Sequence, residues 1–218
     1  MKVNKRIKTL LDLVPFGCKN VIDVGADHGI LSYLILVNNK SEFVLATDIS
    51  EKCLEKAEKL LQPYISCNRA RCMVLDGLNG VQDYKNDLTI IAGMGGHEIV
   101  KILTNIIDKS MFDKFLLQPM QDADVLRYYL SRNGYNVIID LIIEDKGKYY
   151  SVILTKYDGL SQPFDEVECF FGKYCRIDKS EDYIKFVNYT HKVLLSRKEY
   201  LTKKDLLKLE FCENILSK

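Results

Sequence analysis

The chain has 218 residues, 47% of them hydrophobic and 28% charged, with a formal net charge of +1. Such a length holds one large domain, or one domain with an appendage, and the composition is that of a soluble globular protein. No apolar stretch is long enough for a bilayer and no signal-like apolar segment follows the basic start MKVNKRIK, so a cytoplasmic protein is expected; seven scattered cysteines with no C-x-x-C pair argue against a disulfide framework and against a bound metal.

Met1 to Val14 reads as a short helix, with Ile7, Leu10, Leu11 and Val14 at helical spacing and Pro15 and Gly17 ending it. Lys19 to Val24 reads as a buried strand that runs into the turn Gly25-Ala26-Asp27-His28-Gly29 and then a helix over Leu31 to Val37. Phe43 to Thr47 is a second strand leading into Asp48, and Ser50 is placed to cap a helix whose face is Cys53, Leu54, Ala57, Leu60 and Leu61. Arg71 to Leu75 is a third strand, ending at Asp76-Gly77. Asp87 to Ala92 is a fourth, ending at Gly93-Met94-Gly95-Gly96, with a helix from His97 to Ile107. Lys114 to Gln118 is a fifth strand closed by Pro119, and Ala123 to Arg132 is a helix stopped by Asn133-Gly134. This alternation predicts an α/β fold with a parallel sheet and helices on both faces. Tyr135 to Glu144 and Tyr149 to Tyr157 break the pattern. Only Asp145 to Lys148 joins them, too little chain for a crossover helix, so the sheet is predicted to end in an antiparallel hairpin.

After Asp158-Gly159 no strand pattern returns. Phe186, Val193 and Tyr200 recur every seven residues, as do Val187, Leu194 and Leu201, although His191, Arg197 and Lys198 fall near that seam. Thr202 is a candidate cap for a last helix carrying Leu206, Leu209 and Leu216. With a lead-in near Glu166 to Arg176, residues 159–218 are expected to form a helical hairpin appended to a domain of residues 1–158. Cys169 to Lys218 carries 11 Lys/Arg against 7 Asp/Glu, or +4, on a body of −3. A basic tail of this kind attracts a polyanion, or is simply a solvated helix face.

In an open α/β sheet the ligand sits at the carboxyl ends of the strands. Asp48 is placed there to take the hydroxyls of a ribose. Asp76 and Gly77 are placed beside an adenine, with Ile49 and Leu78 as apolar walls. Gly25 admits close approach of a ligand to the backbone, and Asp23, Asp27 and His28 surround that turn. A dinucleotide site would use G-x-G-x-x-G, whereas Ala26-Asp27 here puts an anion on the phosphate approach. S-adenosylmethionine, phosphate-free and cationic, suits the turn better than NAD does. Three glycines within four residues, in Ala92-Gly93-Met94-Gly95-Gly96, suggest a backbone passing close to a flat ligand, with His97 beside it.

The segments VIDVGADHG, IAGMGG (Ile91 to Gly96), LLQP (Leu116 to Pro119) with Arg127 following, and EDKGKYYSVIL (Glu144 to Leu154) resemble the bacterial tRNA (adenine-22-N1)-methyltransferases of the TrmK type. The resemblance runs from about residue 4 to residue 157 and continues loosely into the tail. It implies a Rossmann-like class I methyltransferase domain, a seven-stranded sheet ending in the antiparallel hairpin, with a coiled-coil-like C-terminal domain. It further implies S-adenosylmethionine as cofactor and N1 of a tRNA adenine as target. Where the family's QP motif usually continues with asparagine, this chain has Met120. Asp27, His28 and Gln118 are the candidates for contacting the target base, and Tyr33, Tyr128, Tyr129 and Tyr149 for stacking on it. A monomer is the expected state. Open alternatives are a methyltransferase acting on another RNA, a protein or a small molecule; an NAD-dependent oxidoreductase; and a non-catalytic RNA-binding protein on the same fold.

Overall fold

The computed structural model describes residues 3–81 and 85–217. Helix α1 (Lys5–Leu13) begins at Asn4, whose side chain accepts the Ile7 N–H; Met1 and Lys2, part of the helix expected from the sequence, lie outside the described residues. There follow β1 (Cys18–Val24), α2 (Ile30–Val37), β2 (Ser41–Asp48), α3 (Glu51–Ile65), β3 (Ala70–Val74), β4 (Leu88–Met94), α4 (Gly96–Thr104), β5 (Phe115–Pro119), α5 (Ala123–Arg132), β6 (Tyr135–Asp145) and β7 (Lys148–Tyr157). The chain ends in α6 (Glu166–Phe171), α7 (Glu181–Leu195) and α8 (Lys203–Leu216). No helix among the described residues is long and apolar enough to cross a membrane.

The seven strands form one sheet in the order β3-β2-β1-β4-β5-β7-β6. The first five are mutually parallel; β7 runs antiparallel to both β5 and β6. β1 and β4 are neighbours although β2 and β3 come between them in sequence. The strand order reverses at that pair, and the crevice above it is where such sheets bind ligands. The strands are apolar on both faces because both are covered. Ile22, Val24, Ile91, Phe115 and Leu117 point to the side of α4 and α5, while Val21, Ile90 and Leu116 point to that of α1 and α2.

The C-terminal helices pack over the β6 side of the sheet. Ile142 of β6 is buried with Phe171, Cys175, Tyr183, Val187 and Cys212. Two expectations for this region are corrected. The seven-residue pattern does not run on to Tyr200 and Leu201: α7 stops at Leu195, a short 3-10 turn covers Lys198–Tyr200, and Tyr200 is 85% exposed. Of the residues expected on the last helix, Leu209 is buried and Leu216 packs partly buried, but Leu206 is exposed, and Cys212 is the further buried residue of α8. The spacing beyond Leu194 is a coincidence of composition, because the buried face of α7 is Tyr183, Val187, Thr190 and Leu194 and ends with the helix. Thr202 does cap α8, exchanging hydrogen bonds with Asp205.

Candidate active site

The turn after β1 is tied to the end of β2. Gly25 and Ala26 both donate their N–H to the Thr47 carbonyl, at 2.8 and 2.9 Å. Asp27, with φ +50°, donates its N–H to Asp48 Oδ2 at 3.0 Å, and Ser50 N–H reaches Asp48 Oδ1 at 2.9 Å. Two backbone donors therefore fix the Asp48 carboxylate, which retains lone pairs for a diol. Gly25 has φ +70°, and a Cβ there would stand 2.2 Å from Met94 Cε. The methionine end can move aside, so it is the backbone angle that calls for glycine at this turn.

The end of β4 divides its glycines between two tasks. Ala92 pairs with Gln118 and Met94 with Pro119, so Gly93 is the extra residue of a β-bulge, at φ +82° with open space where its Cβ would be. Gly96 instead lies against the next segment: a Cβ there would be 2.0 Å from the Asp122 carbonyl oxygen. Only Gly93 therefore matches the reading of a backbone bared for a ligand. Gly96 serves the contact between α4 and the start of α5, and Gly95, at φ −69°, caps α4.

Two cavities of about 360 Å³ each meet at Gly25, Ala92 and Gly93. The first is lined by Asp48, Ile49, Asp76, Gly77, Leu75 and Met94. The second holds Asp23, Asp27, His28 and Gln118 above Ile7, Leu10, Ile30 and Leu31, with Arg6 and Met120 at its edge. A larger cavity of about 490 Å³ between α5, α6 and α8 contains none of the strand-end residues.

Charge in the second cavity is set by burial. Asp23 is 3% exposed, and desolvation pushes its carboxyl up to about 6, against the 2.6 Å hydrogen bond that Ser32 Oγ donates to it. The nearby Asp48 charge pushes the same way. A cation arriving beside Asp23 relieves that cost. His28 Nε2 lies 3.0 Å from Lys56 Nζ and 3.5 Å from Asp27 Oδ1. Gln118 is 1% exposed and donates its amide to the Pro119 carbonyl at 2.9 Å.

Of the residues the sequence singles out, Asp27, His28 and Gln118 share one cavity, and Asp48, Ile49, Asp76 and Gly77 share the other. Gly95 lines neither. Leu78 is buried in the core, and the apolar wall is Leu75. His97 is exposed and lies outside both cavities, and the four tyrosines lie outside them too: Tyr33 packs on Tyr64, the exposed Tyr128 lies under Arg132, Tyr129 packs on Tyr135 and Tyr149 on Phe186. Arg6, at the edge of the second cavity, holds its guanidinium 5.1 Å from the centroid of Tyr150. Nothing in the sequence pairs Arg6 with the strand ends, since α1 reaches them only through the packing of its apolar face.

The donor set fits an adenosine with a cationic, phosphate-free tail. A fixed carboxylate stands where a ribose would lie, apolar walls flank it, a backbone cradle at Gly25 and Gly93 would be filled by any Cβ, and a buried acid waits beyond.

A family model described as a methyltransferase domain matches residues 3–153. The tRNA (adenine(22)-N(1))-methyltransferase of Bacillus subtilis is 29% identical over 169 residues, spanning 74% of this chain and 71% of the relative. Among solved structures, the B. subtilis m1A22 tRNA methyltransferase TrmK superposes with a TM-score of 0.73 at 24% identity, covering 99% of this chain and 96% of that one. TrmK of M. capricolum, in complex with S-adenosyl-homocysteine, does so with 0.80 at 22% identity, covering 99% and 95%.

Proposed function

The chain belongs to the methyltransferase domain family, and from that premise we propose that it transfers a methyl group from S-adenosylmethionine to N1 of an adenine in tRNA, at position 22 in the D-arm region. The observation that carries this reading is the pair of cavities joined at Gly25, Ala92 and Gly93, one with a ribose acid and the other with a buried acid and no phosphate cradle. The tRNA methyltransferases it is similar to supply the nucleoside and its position.

Bound across that junction, S-adenosylmethionine supplies a methyl on a sulfonium, open to in-line attack by a nitrogen lone pair. Asp48 holds the ribose hydroxyls, Ile49, Leu75 and Met94 flank the adenine, and Asp76 accepts from its exocyclic amine. Asp23 and Asp27 orient the cationic methionyl part. N1 of the target adenine carries its lone pair in the ring plane, so no strong general base is needed, and positioning with exclusion of water accounts for much of the rate. N1 lies on the Watson–Crick edge, and the base must be unpaired or extruded to reach the second cavity, at a cost of a few kcal/mol. There Gln118, Asp27 and His28 meet it.

Residues 159–218 are read as the part that holds the tRNA body, with the protein acting as a monomer in the cytoplasm. Alanine at Asp27, His28 and Gln118 in turn tests the base-contacting assignment: each should lower turnover on tRNA with S-adenosylmethionine binding retained at Gln118, and three unchanged rates would remove them from the site.

A further inference from the structure

The β6–β7 hairpin meets the edge of the second cavity at Arg6, which lines the cavity and lies over Tyr150. Leu117 of β5 pairs with Ile153 of antiparallel β7, so Pro119, the last residue of β5, is level with Ser151. Lys148, Tyr149 and Tyr150 continue past the strand ends by about 10 Å. The tip itself is Lys146-Gly147, with φ +55° and +76°, the pair of positive angles a two-residue type I′ turn requires. Asparagine or glycine is the unstrained choice at the first of these positions, so the fold holds a lysine there against its backbone preference.

The tip carries two exposed lysines and lies beside a cluster of tyrosines. Lys146 and Lys148 are exposed and make no ion pair among the described residues. Two nearby acids are occupied, Asp182 by Lys5 Nζ and the Glu144 N–H and Glu144 Oε1 by the Gly147 N–H, while Asp145 flanks the tip opposite Lys148 in the strand register. Tyr149 packs against Tyr189 of α7 with the rings tilted by 40° and their centroids 5.5 Å apart, and Tyr189 is 56% exposed. Arg6, over Tyr150, closes the strip at the cavity edge.

The geometry points to this strip, from Arg6 across the hairpin tip to the exposed side of α7 at Tyr189, as the track that holds the RNA backbone flanking the adenine in the cavity. It rests on the tRNA reading above. The lysines neutralise phosphates, and Tyr189 offers a ring face to a flanking base.

The test compares Lys146→Asn, the double variant Lys146→Asn with Lys148→Ser, and Tyr189→Ala with the full-length protein, reading KM for tRNA as a function of salt, S-adenosylmethionine affinity and Tm. Lys59→Ser, an exposed α3 lysine, is the control. Lys146→Asn should raise Tm by about 2 °C, because it relieves the turn, and yet raise KM for tRNA about threefold. The double variant should raise KM about tenfold and lower the slope of log KM against log salt by roughly 0.7 to 0.9 for each phosphate that is no longer neutralised. Tyr189→Ala should raise KM at every salt concentration. Cofactor affinity should stay at the wild-type value throughout. Unchanged KM and slope in the double variant, with an active wild type, overturn the track alone. A wild type that binds S-adenosylmethionine and methylates no tRNA overturns the underlying reading and the track with it.

Discussion

Arg127 and Asp140 form a fully buried bidentate pair, Nε to Oδ2 at 2.8 Å and Nη2 to Oδ1 at 2.7 Å. The same guanidinium reaches Ser151 Oγ at 2.8 Å and the Cys169 and Phe170 carbonyls, so one side chain joins α5, β6, β7 and the start of the C-terminal helices. The Lys173 N–H adds a further donor to Asp140, and Gly172 at φ +101° leaves the room, since a Cβ there would be 3.2 Å from Asp140 Oδ2.

Breaking this pair from one side strands a buried charge. Arg127→Met is expected to destabilise the protein by about 3 to 5 kcal/mol in urea unfolding, whereas Arg127→Met with Asp140→Leu should recover much of that loss. A single variant as stable as wild type would show that the pair does not hold the tail to the sheet.

Asp23 governs the pH response. Its folded-state pKa of about 6 exceeds the ordinary 3.8 because burial penalises the charge. The native state therefore binds more protons than the unfolded chain between about pH 4 and 6, and the stability the protonated group contributes is lost as pH rises through that window. The shift corresponds to a loss on the order of 3 kcal/mol. Asp23→Asn should flatten the profile and be the more stable protein at neutral pH, while binding S-adenosylmethionine more weakly. Wild-type affinity should fall as pH drops below about 6. A cofactor affinity independent of both Asp23 and pH would remove this residue from the site.

The glycines after β4 separate cleanly. Gly96→Ala drives a methyl into the Asp122 backbone, which cannot swing aside, so unfolding should occur several degrees lower. Gly93→Ala meets no atom but sits at φ +82° and faces both cavities. It should cost about 1 kcal/mol of stability and a much larger part of cofactor affinity. Gly95→Ala, at φ −69° with 3.7 Å of clearance, should change little. Thermal melts with and without S-adenosylmethionine distinguish the three.

Asp48 makes the ribose contact and also anchors the turn through the Asp27 N–H. Asp48→Asn keeps an acceptor for the turn but loses charge-assisted bonds to a diol, so calorimetry should show at least tenfold weaker cofactor binding in a folded protein. Equal binding would place the ribose elsewhere.

The sheet was legible because each strand is a short apolar run closed by glycine, proline or aspartate, and the four-residue link at Asp145 to Lys148 admits only a hairpin. Asp48, Gly25 and Asp76 were legible for the same reason: strand ends converge in any parallel sheet. The role of Gly96 was not, since its neighbour Asp122 is distant in sequence and a close approach leaves no local mark. Arg6 was hidden likewise, on the polar side of a helix whose docking depends on the whole core. Leu78 and Leu75 were interchanged because both are apolar residues beside Asp76-Gly77, and only packing decides which of them enters the core. The heptads misled past Leu194 because seven-residue spacing persists by chance for a turn after a helix has ended.

The most direct test is to incubate the protein with methyl-labelled S-adenosylmethionine and unmodified tRNA, digest the product, and identify and map the labelled nucleoside. One 1-methyladenosine at position 22, lost with Asp48→Ala, is the predicted result. Label on another base or another adenine nitrogen, or none on tRNA from a protein that binds the cofactor, would contradict it.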